Sequence, residues 1–145
     1  TYENLISKIS IIAPYRPQTK RIINALSNSI GEDVAKRIVT TVHRMQGNER
    51  EFIVLDLVDA PPENIGLIFR GNHLRDQGPR LLNVAISRPR KQLIVIASFE
   101  HVSGRASTGH SYRGTQMSRF IGLLESAGKK VDLGLFLDTG KVTPM

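Results

Sequence analysis

Four short apolar runs lie along the chain, at residues 9–13, 38–42, 52–58 and 93–97. They are rich in β-branched residues, and most are apolar at successive positions instead of alternate ones. This pattern is typical of strands that helices cover on both faces of a parallel sheet. The sequence therefore predicts an α/β fold with a mostly parallel sheet.

Helical periodicity appears between these runs. Isoleucines and a leucine repeat at helical spacing after Pro17, which suits the start of a helix, and before Gly31, which suits its end. We predict a helix over residues 17–30. A second helix is predicted over about residues 80–88, because Pro89 disfavours helical geometry in the residue before it.

The rest of the chain is less regular. Residues 60–78 form a long connection, and residues 103–115 are rich in Gly, Ser and Thr and are expected to be poorly ordered. A third helix is predicted over 116–126, with Phe120, Leu123 and Leu124 on one side. We expect one domain over residues 1–128, followed by a tail or connector, or an edge strand, over 129–145.

Composition narrows the class of protein. The chain has 145 residues, which suits one domain, and 20 Lys and Arg against 13 Asp and Glu give a net charge of +7. This balance favours phosphate-rich partners. The chain has no cysteine, so a disulfide framework and a thiolate zinc site are excluded. No apolar run reaches the roughly 20 residues of a membrane span, and we expect an intracellular protein of the cytoplasm or nucleus.

Unusual polar residues follow two of the predicted strands. Ligands of open α/β sheets gather at the carboxyl ends of strands, so we expect a site there. Tyr15 lies in a rigid turn after the first run, and Thr41, His43 and Arg44 supply donors suited to phosphate after the second. Gly47 would let the backbone approach a ligand closely. Taken singly, each segment could equally be a solvated loop.

The second predicted helix carries a narrow polar stripe. At about 100° per residue, Arg80, Asn83 and Ser87 share one side, with Arg88 beside them. This stripe must face solvent, a partner or a ligand, because burying an unpaired guanidinium is too costly.

Several common signatures do not occur. Asp56 ends an apolar run in the way of an Mg²⁺-binding aspartate, yet the chain has no Gly-x-x-x-x-Gly-Lys-[Ser/Thr] loop, so we interpret Asp56 as structural. The histidines lack the spacing of metal ligands, and no metal site is predicted.

Three blocks in order, IIAPYRPQ, TTVHRMQGNEREFIVLDLV and GPRLLNVAISRPRKQLIVIA, resemble the last three motifs of superfamily 1 helicases. These blocks occupy residues 9–18, 40–58 and 79–97. The resemblance is strongest to the branch that includes the nonsense-mediated-decay helicase and senataxin. It implies a second RecA-like domain, a three-layer α/β fold that lacks its own P-loop.

The resemblance also implies roles in ATP hydrolysis. Arg88 takes the place of the arginine finger that reaches the γ-phosphate across a domain cleft. Gly47 and Glu49 match a Gly-x-Glu motif that contacts the phosphates and the ribose, and Gln46 is expected to couple this loop to both ligands. ATP and Mg²⁺ would be bound mainly by an N-terminal RecA-like domain of the same full-length chain. This chain alone is expected to bind neither and to be inactive.

The same resemblance places nucleic-acid contacts at Tyr15, Thr41, His43 and Arg44. The implied partner is single-stranded DNA or RNA, with no membrane involved. The implied activity is that of an ATP-dependent helicase or translocase.

Departures from the family pattern leave other interpretations open. Ser87 and Pro89 flank Arg88 where relatives have Thr and a small residue, and a tyrosine-arginine motif that precedes these blocks in relatives is missing. One alternative is a catalytically inactive nucleic-acid-binding or regulatory module. A free-standing nucleotide-binding enzyme such as a methyltransferase is disfavoured by the lack of a glycine-rich loop after the first strand.

Overall fold

The described strands form one sheet in the order β2-β1-β3-β4, with every pair parallel. The computed structural model describes residues 2–58, 71, 73–99, 101 and 115–129. Its elements, in chain order, are α1 (Tyr2–Lys8), β1 (Ile9–Ala13), α2 (Arg16–Ile30), α3 (Glu32–Ile38), β2 (Val39–Thr41), a 3-10 turn (Val42–Met45), β3 (Arg50–Asp56), α4 (Gln77–Ile86), β4 (Pro89–Ile96) and α5 (Gln116–Ala127).

The main hydrophobic core lies between one face of the sheet and helices α4 and α5. Ile53 and Leu55 of β3 are fully buried there. Leu82 of α4 and Ile121 of α5 are buried there as well, with 3% and 2% of their surface exposed. Parallel pairing aligns Leu55 with Ile12 of β1, so the two side chains share this face. Burial of such aliphatic side chains is worth about 1.5–3 kcal/mol each.

Helices α1, α2 and α3 contact the strands from the other side. They contact β1, and α1 also contacts β3, yet their described residues lie outside the core cluster that contains α4 and α5. Helices therefore lie on both faces of the sheet, and the predicted three-layer α/β fold with a parallel sheet is confirmed.

Three of the four strand predictions are confirmed with small shifts in their ends. The first is β1 as predicted, the third begins and ends two residues early, and the fourth begins at Pro89. The prediction over 38–42 is wrong at both ends: Ile38 ends α3 and Val42 begins the 3-10 turn. Both side chains are buried, so their apolar character reflects burial and not strand geometry.

The predicted helices also form, with corrected ends. Helix α2 begins at Arg16 and is capped by Gly31, whose φ of 85° suits glycine and whose N–H donates to the Ser27 carbonyl. Helix α4 spans Gln77–Ile86, so it begins earlier than predicted and ends before Arg88.

In α5 the predicted apolar side needs a correction. Phe120 is buried, but Leu123 is 62% exposed. The buried side is completed by Met117 and Ile121, which sit one helical turn from Phe120 and Leu124. Leu124 packs partly against the core.

The short helices α1 and α3 were not predicted from the sequence. Helix α3 has the expected end charges, with Glu32 and Asp33 in its first turn and Lys36 and Arg37 in its last. Most of the predicted connection 60–78, the stretch 103–114 and the tail from residue 130 lie outside the described residues.

Charged side chains link the beginnings of β3 and β4. The Glu51 carboxylate accepts a hydrogen bond from Lys91 Nζ at 2.7 Å, and Lys8 Nζ lies 3.5 Å from its other oxygen. The hydrogen bond from Lys91, and next the charge of Lys8, hold the pKa of Glu51 below its ordinary value against the opposing effect of desolvation.

This network predicts a pH-dependent contribution to stability. A carboxylate with a lowered pKa stabilises the fold fully above the unfolded-state pKa of about 4.3, and that stabilisation is lost as pH falls through the folded-state pKa. Glu51→Gln should therefore be less stable than the wild type in denaturant at pH 7, and the difference should shrink below pH 4. A titration that gives Glu51 an ordinary or raised pKa would contradict this account.

Candidate nucleotide and nucleic-acid sites

The first group of candidate residues lies where β1, β2 and β3 end, at Ala13, Thr41 and Asp56, which we call the carboxyl edge. Thr41 is the last residue of β2 and pairs with Ala13. Tyr15 follows two residues after Ala13 and is the N-cap residue of α2. Both side chains are half-buried. The structure therefore brings Tyr15 and Thr41 to one edge, as predicted.

Asp56, at the end of β3, accepts two hydrogen bonds at the carboxyl edge. Its Oδ2 accepts from Gln18 Nε2 at 2.7 Å, and its Oδ1 accepts from the backbone N–H of Val58 at 3.0 Å. Val58 has a φ of 68°, an uncommon conformation for a β-branched residue, which this hydrogen bond holds in place. These contacts join α2 to the end of β3 and support the structural interpretation of Asp56.

Residues 42–49, which we call the crossing segment, connect the end of β2 to the start of β3. Because β2 and β3 both pair parallel to β1, this segment must traverse the sheet from one edge to the other. Val42 and Met45 anchor it in the main core, at 0% and 3% exposure. The intervening His43 and Arg44 are exposed.

The second group lies where β3 and β4 begin, at Arg50 and Pro89, which we call the amino edge. The backbone N–H of Arg50 donates to the Arg88 carbonyl at 3.2 Å. Arg90 Nε donates to Glu49 Oε2 at 2.7 Å. These two contacts hold the end of the crossing segment against the residues that flank β4.

Gly47 exposes its backbone at this edge. Its φ is +85°, and no described atom lies within 4 Å of the position that a Cβ would occupy. The peptide therefore has room for close approach by a ligand.

The candidate residues do not all lie at the carboxyl edge, where a site was expected. Glu49 and Arg88 precede β3 and β4, so they lie at the amino edge. At about 3.3 Å per residue, the length of β3 separates this edge from Thr41 by about 20 Å. The crossing segment begins after one strand and ends before the next, and sequence adjacency alone could not show which edge each of its residues reaches.

Arg88 is half-buried and carries an unsatisfied donor. Its Nε is buried without a hydrogen-bond partner, and within the described chain its side chain forms no ion pair. Leaving a buried donor unpaired costs about 1–3 kcal/mol. Such groups in a folded protein call for an explanation, and a role in binding is one of them.

The predicted polar stripe of α4 is confirmed, because Arg80, Asn83 and Ser87 are all exposed. A cleft of about 570 Å³ lies between the stripe and the crossing segment. His43 and Gln46 line one side of this cleft, and residues of α4 and the turn before it line the other. His43 and Gln46 therefore line the same cleft.

Sequence reasoning missed two polar residues of this cleft, Arg75 and Gln77. The segment before residue 80 was interpreted as part of a long connection, although α4 already begins at Gln77. Asp76, a residue type favoured at helix N-caps, was the available signal for this earlier start.

Two features are not found in the described part of the chain. No group of three His, Asp or Glu side chains there could hold a metal ion. None of the helices described is long and apolar enough to cross a membrane.

Comparison with known proteins assigns the family. A family model described as an AAA domain matches residues 1–100. A probable helicase of Dictyostelium discoideum is 33% identical over 102 residues, which are 70% of this chain and 9% of the relative. The regulator of nonsense transcripts 1 homolog of Arabidopsis thaliana is 35% identical over 95 residues, or 63% of this chain and 7% of its own length.

A human protein is a further relative. The human DNA replication ATP-dependent helicase/nuclease DNA2 is 38% identical over 90 residues, which are 62% of this chain and 8% of the relative. The chain thus spans less than a tenth of the length of these relatives. With its parallel RecA-like sheet and the match over residues 1–100, the chain belongs to the superfamily 1 helicases, of the type found in nonsense-mediated decay.

Proposed function

We propose that this chain is the second RecA-like motor domain of an ATP-dependent helicase or translocase that acts on single-stranded DNA or RNA. The domain covers residues 1–128, and residues 129–145 are its tail or connector. A first RecA-like domain, N-terminal in the same protein, holds ATP and Mg²⁺. The absence of a P-loop sequence here and the small share of each relative that the chain covers support this division.

The observation that carries the proposal is the state of Arg88. A half-buried guanidinium with a buried donor and no counter-charge in the described chain is suited to an anion supplied from outside. Arginine stays charged at any physiological pH, and its planar fork matches phosphate oxygens. We infer that Arg88 crosses the gap to the partner domain and stabilises charge on the γ-phosphoryl group during its transfer.

The neighbouring residues of the amino edge would bind the rest of the nucleotide. The open peptide of Gly47 would face the phosphates, and the Glu49 carboxylate would accept a hydrogen bond from the ribose. Glu49 is 43% exposed and uses Oε2 for Arg90, which leaves Oε1 available. The described residues offer no cluster of carboxylates for Mg²⁺, so we assign that ion to the partner domain.

The carboxyl edge would hold the nucleic-acid strand. Tyr15, Thr41, His43 and Arg44 present an aromatic ring, a hydroxyl and two basic side chains, which suit contacts with a sugar-phosphate backbone. Such contacts carry no base information, so sequence preference should be weak.

The crossing segment would couple the two edges. Closure of the domains around ATP would press on Gly47 and Glu49, and the buried Val42 and Met45 would pass that displacement to Thr41 and His43. Gln46, midway along the segment, would contribute to both sites. Hydrolysis would reopen the cleft and allow the enzyme to step.

A second candidate function is a regulatory module that binds nucleic acid without catalysis. Two observations favour it: Pro89 follows Arg88 directly, and the Glu49 carboxylate is already engaged by Arg90. This candidate predicts strand binding without ATP turnover.

Substitution of Arg88 separates the two candidates. In the full-length protein that contains this chain, Arg88→Ala should lower nucleic-acid-stimulated ATP hydrolysis by about 10³–10⁵-fold, the usual cost of losing such an arginine. Arg88→Lys should recover little of it, because lysine lacks the fork. Arg21→Ala, an exposed arginine of α2, is the control and should change nothing. Wild-type turnover in Arg88→Ala would refute the assignment.

Gly47 permits a test with a closely matched control. Gly47→Ala and Gly31→Ala both place a side chain at a φ of +85° with no described atom within 4 Å. Each should therefore lose about 1–3 kcal/mol of stability, because residues with a side chain rarely adopt a positive φ. Only Gly47→Ala should raise the KM for ATP in the full-length protein, because its methyl group would stand between the backbone and the phosphates. An equal KM in both variants would remove Gly47 from the nucleotide site.

A further inference from the structure

We propose that the cleft between the crossing segment and α4 is an additional phosphate-binding site, in which Arg75 and Arg80 hold phosphodiesters of a single nucleic-acid strand. The inference rests on the proposed function, because it assigns the ligand to the strand on which the motor acts. It adds Arg75 and Arg80 to the four residues already assigned to nucleic acid, which are Tyr15, Thr41, His43 and Arg44.

The chemistry of the cleft walls favours an anion. Its polar lining consists of His43, Gln46, Arg75, Gln77, Arg80 and Asn83, all of which can donate hydrogen bonds, and none of the described lining residues is a carboxylate. The cleft of about 570 Å³ is comparable in size to ligand sites in general.

The two arginines have no counter-charge in the described chain. Arg75 and Arg80 are exposed, and neither takes part in an ion pair there, whereas Arg37, Arg90 and Lys91 each pair with a glutamate. The nearest acid in sequence, Asp76, is four residues before Arg80, yet its Oδ2 accepts from the backbone N–H of His73 at 3.0 Å. Both guanidinium groups are thus available for bidentate contact with phosphate.

The position of the cleft favours a strand over a nucleotide. His43, which we assign to the strand, lines it, whereas Gly47, Glu49 and Arg88 do not. The first residue of α4, Gln77, lines the cleft, so the positive end of the helix dipole adds to the local field. No Phe, Tyr or Trp side chain is among the described lining residues, so the cleft suits the backbone of a strand better than its stacked bases.

Salt dependence of binding tests this inference directly. For single strands, log K falls with log salt by about 0.7 for each phosphate contacted. For the 145-residue chain and a labelled oligodeoxythymidine or oligouridine, Arg75→Gln and Arg80→Gln should each reduce the slope by about 0.7, and the double variant by about 1.4. Arg119→Gln changes an exposed arginine of α5 that forms no ion pair with another described residue, and it should leave the slope unchanged. All variants should keep the wild-type unfolding midpoint, because the substituted side chains are exposed.

Three results would overturn the inference. Slopes that match Arg119→Gln, in a chain that binds the oligonucleotide, would remove the cleft from the strand path and leave the proposed function intact. A raised KM for ATP in Arg75→Gln and Arg80→Gln variants of the full-length protein, with unchanged oligonucleotide binding, would reassign the cleft to nucleotide polyphosphate. Failure of the wild-type chain to bind any oligonucleotide would reject strand binding by this domain, and the cleft assignment with it.

Discussion

The burial of Val42 and Met45 is the constraint on which the arrangement of both candidate sites depends. Parallel pairing requires the chain to cross the sheet from the end of β2 to the start of β3. A connection of this length could follow many paths if no buried side chain fixed it. The two side chains fix the path by entering the core beside Ile53, Leu55 and α4. These two contacts position His43 and Arg44, and the hydrogen bond from Arg90 to Glu49 holds the other end of the crossing segment.

One consequence is a division of chemistry between the two edges of the sheet. Hydroxyl, aromatic and basic side chains lie at the carboxyl edge, and an open glycine peptide, a carboxylate and an unsatisfied guanidinium lie at the amino edge. The proposed motor uses both: a nucleotide at one edge, a strand at the other, and a rigid segment between them. Preorganisation of this kind lowers the cost of transmitting domain closure, because the segment has little freedom to absorb it.

The sequence predicted the layers of the fold well and the ends of its elements less well. One face of the central strands is buried and the other is partly buried, so their apolar runs indicated a sheet covered on both sides. At 38–42 an apolar run gave a strand prediction that is wrong at both ends. Ile38 is buried at the end of a helix and Val42 at the start of a 3-10 turn. The motif identified Arg88, and helical periodicity identified the polar stripe of α4. Their positions relative to one another could not be predicted, because these depend on the direction of the chain in the sheet. The role of Arg75 could not be predicted, since it comes from a cleft between segments about 30 residues apart in sequence.

The most direct test of the account is the coupling between nucleotide and strand in the full-length protein that contains this chain. Single-stranded oligonucleotide affinity should be measured with and without a non-hydrolysable ATP analogue, in the wild type, in Met45→Ala and in Met117→Ala. Both methionines are buried in the same core, at 3% and 2% exposure, so both variants should lose comparable stability, but only Met45 anchors the crossing segment. We predict that the analogue changes strand affinity in the wild type and in Met117→Ala, and that Met45→Ala brings the ratio of the two affinities towards one. An unchanged ratio in a folded Met45→Ala protein would contradict the account.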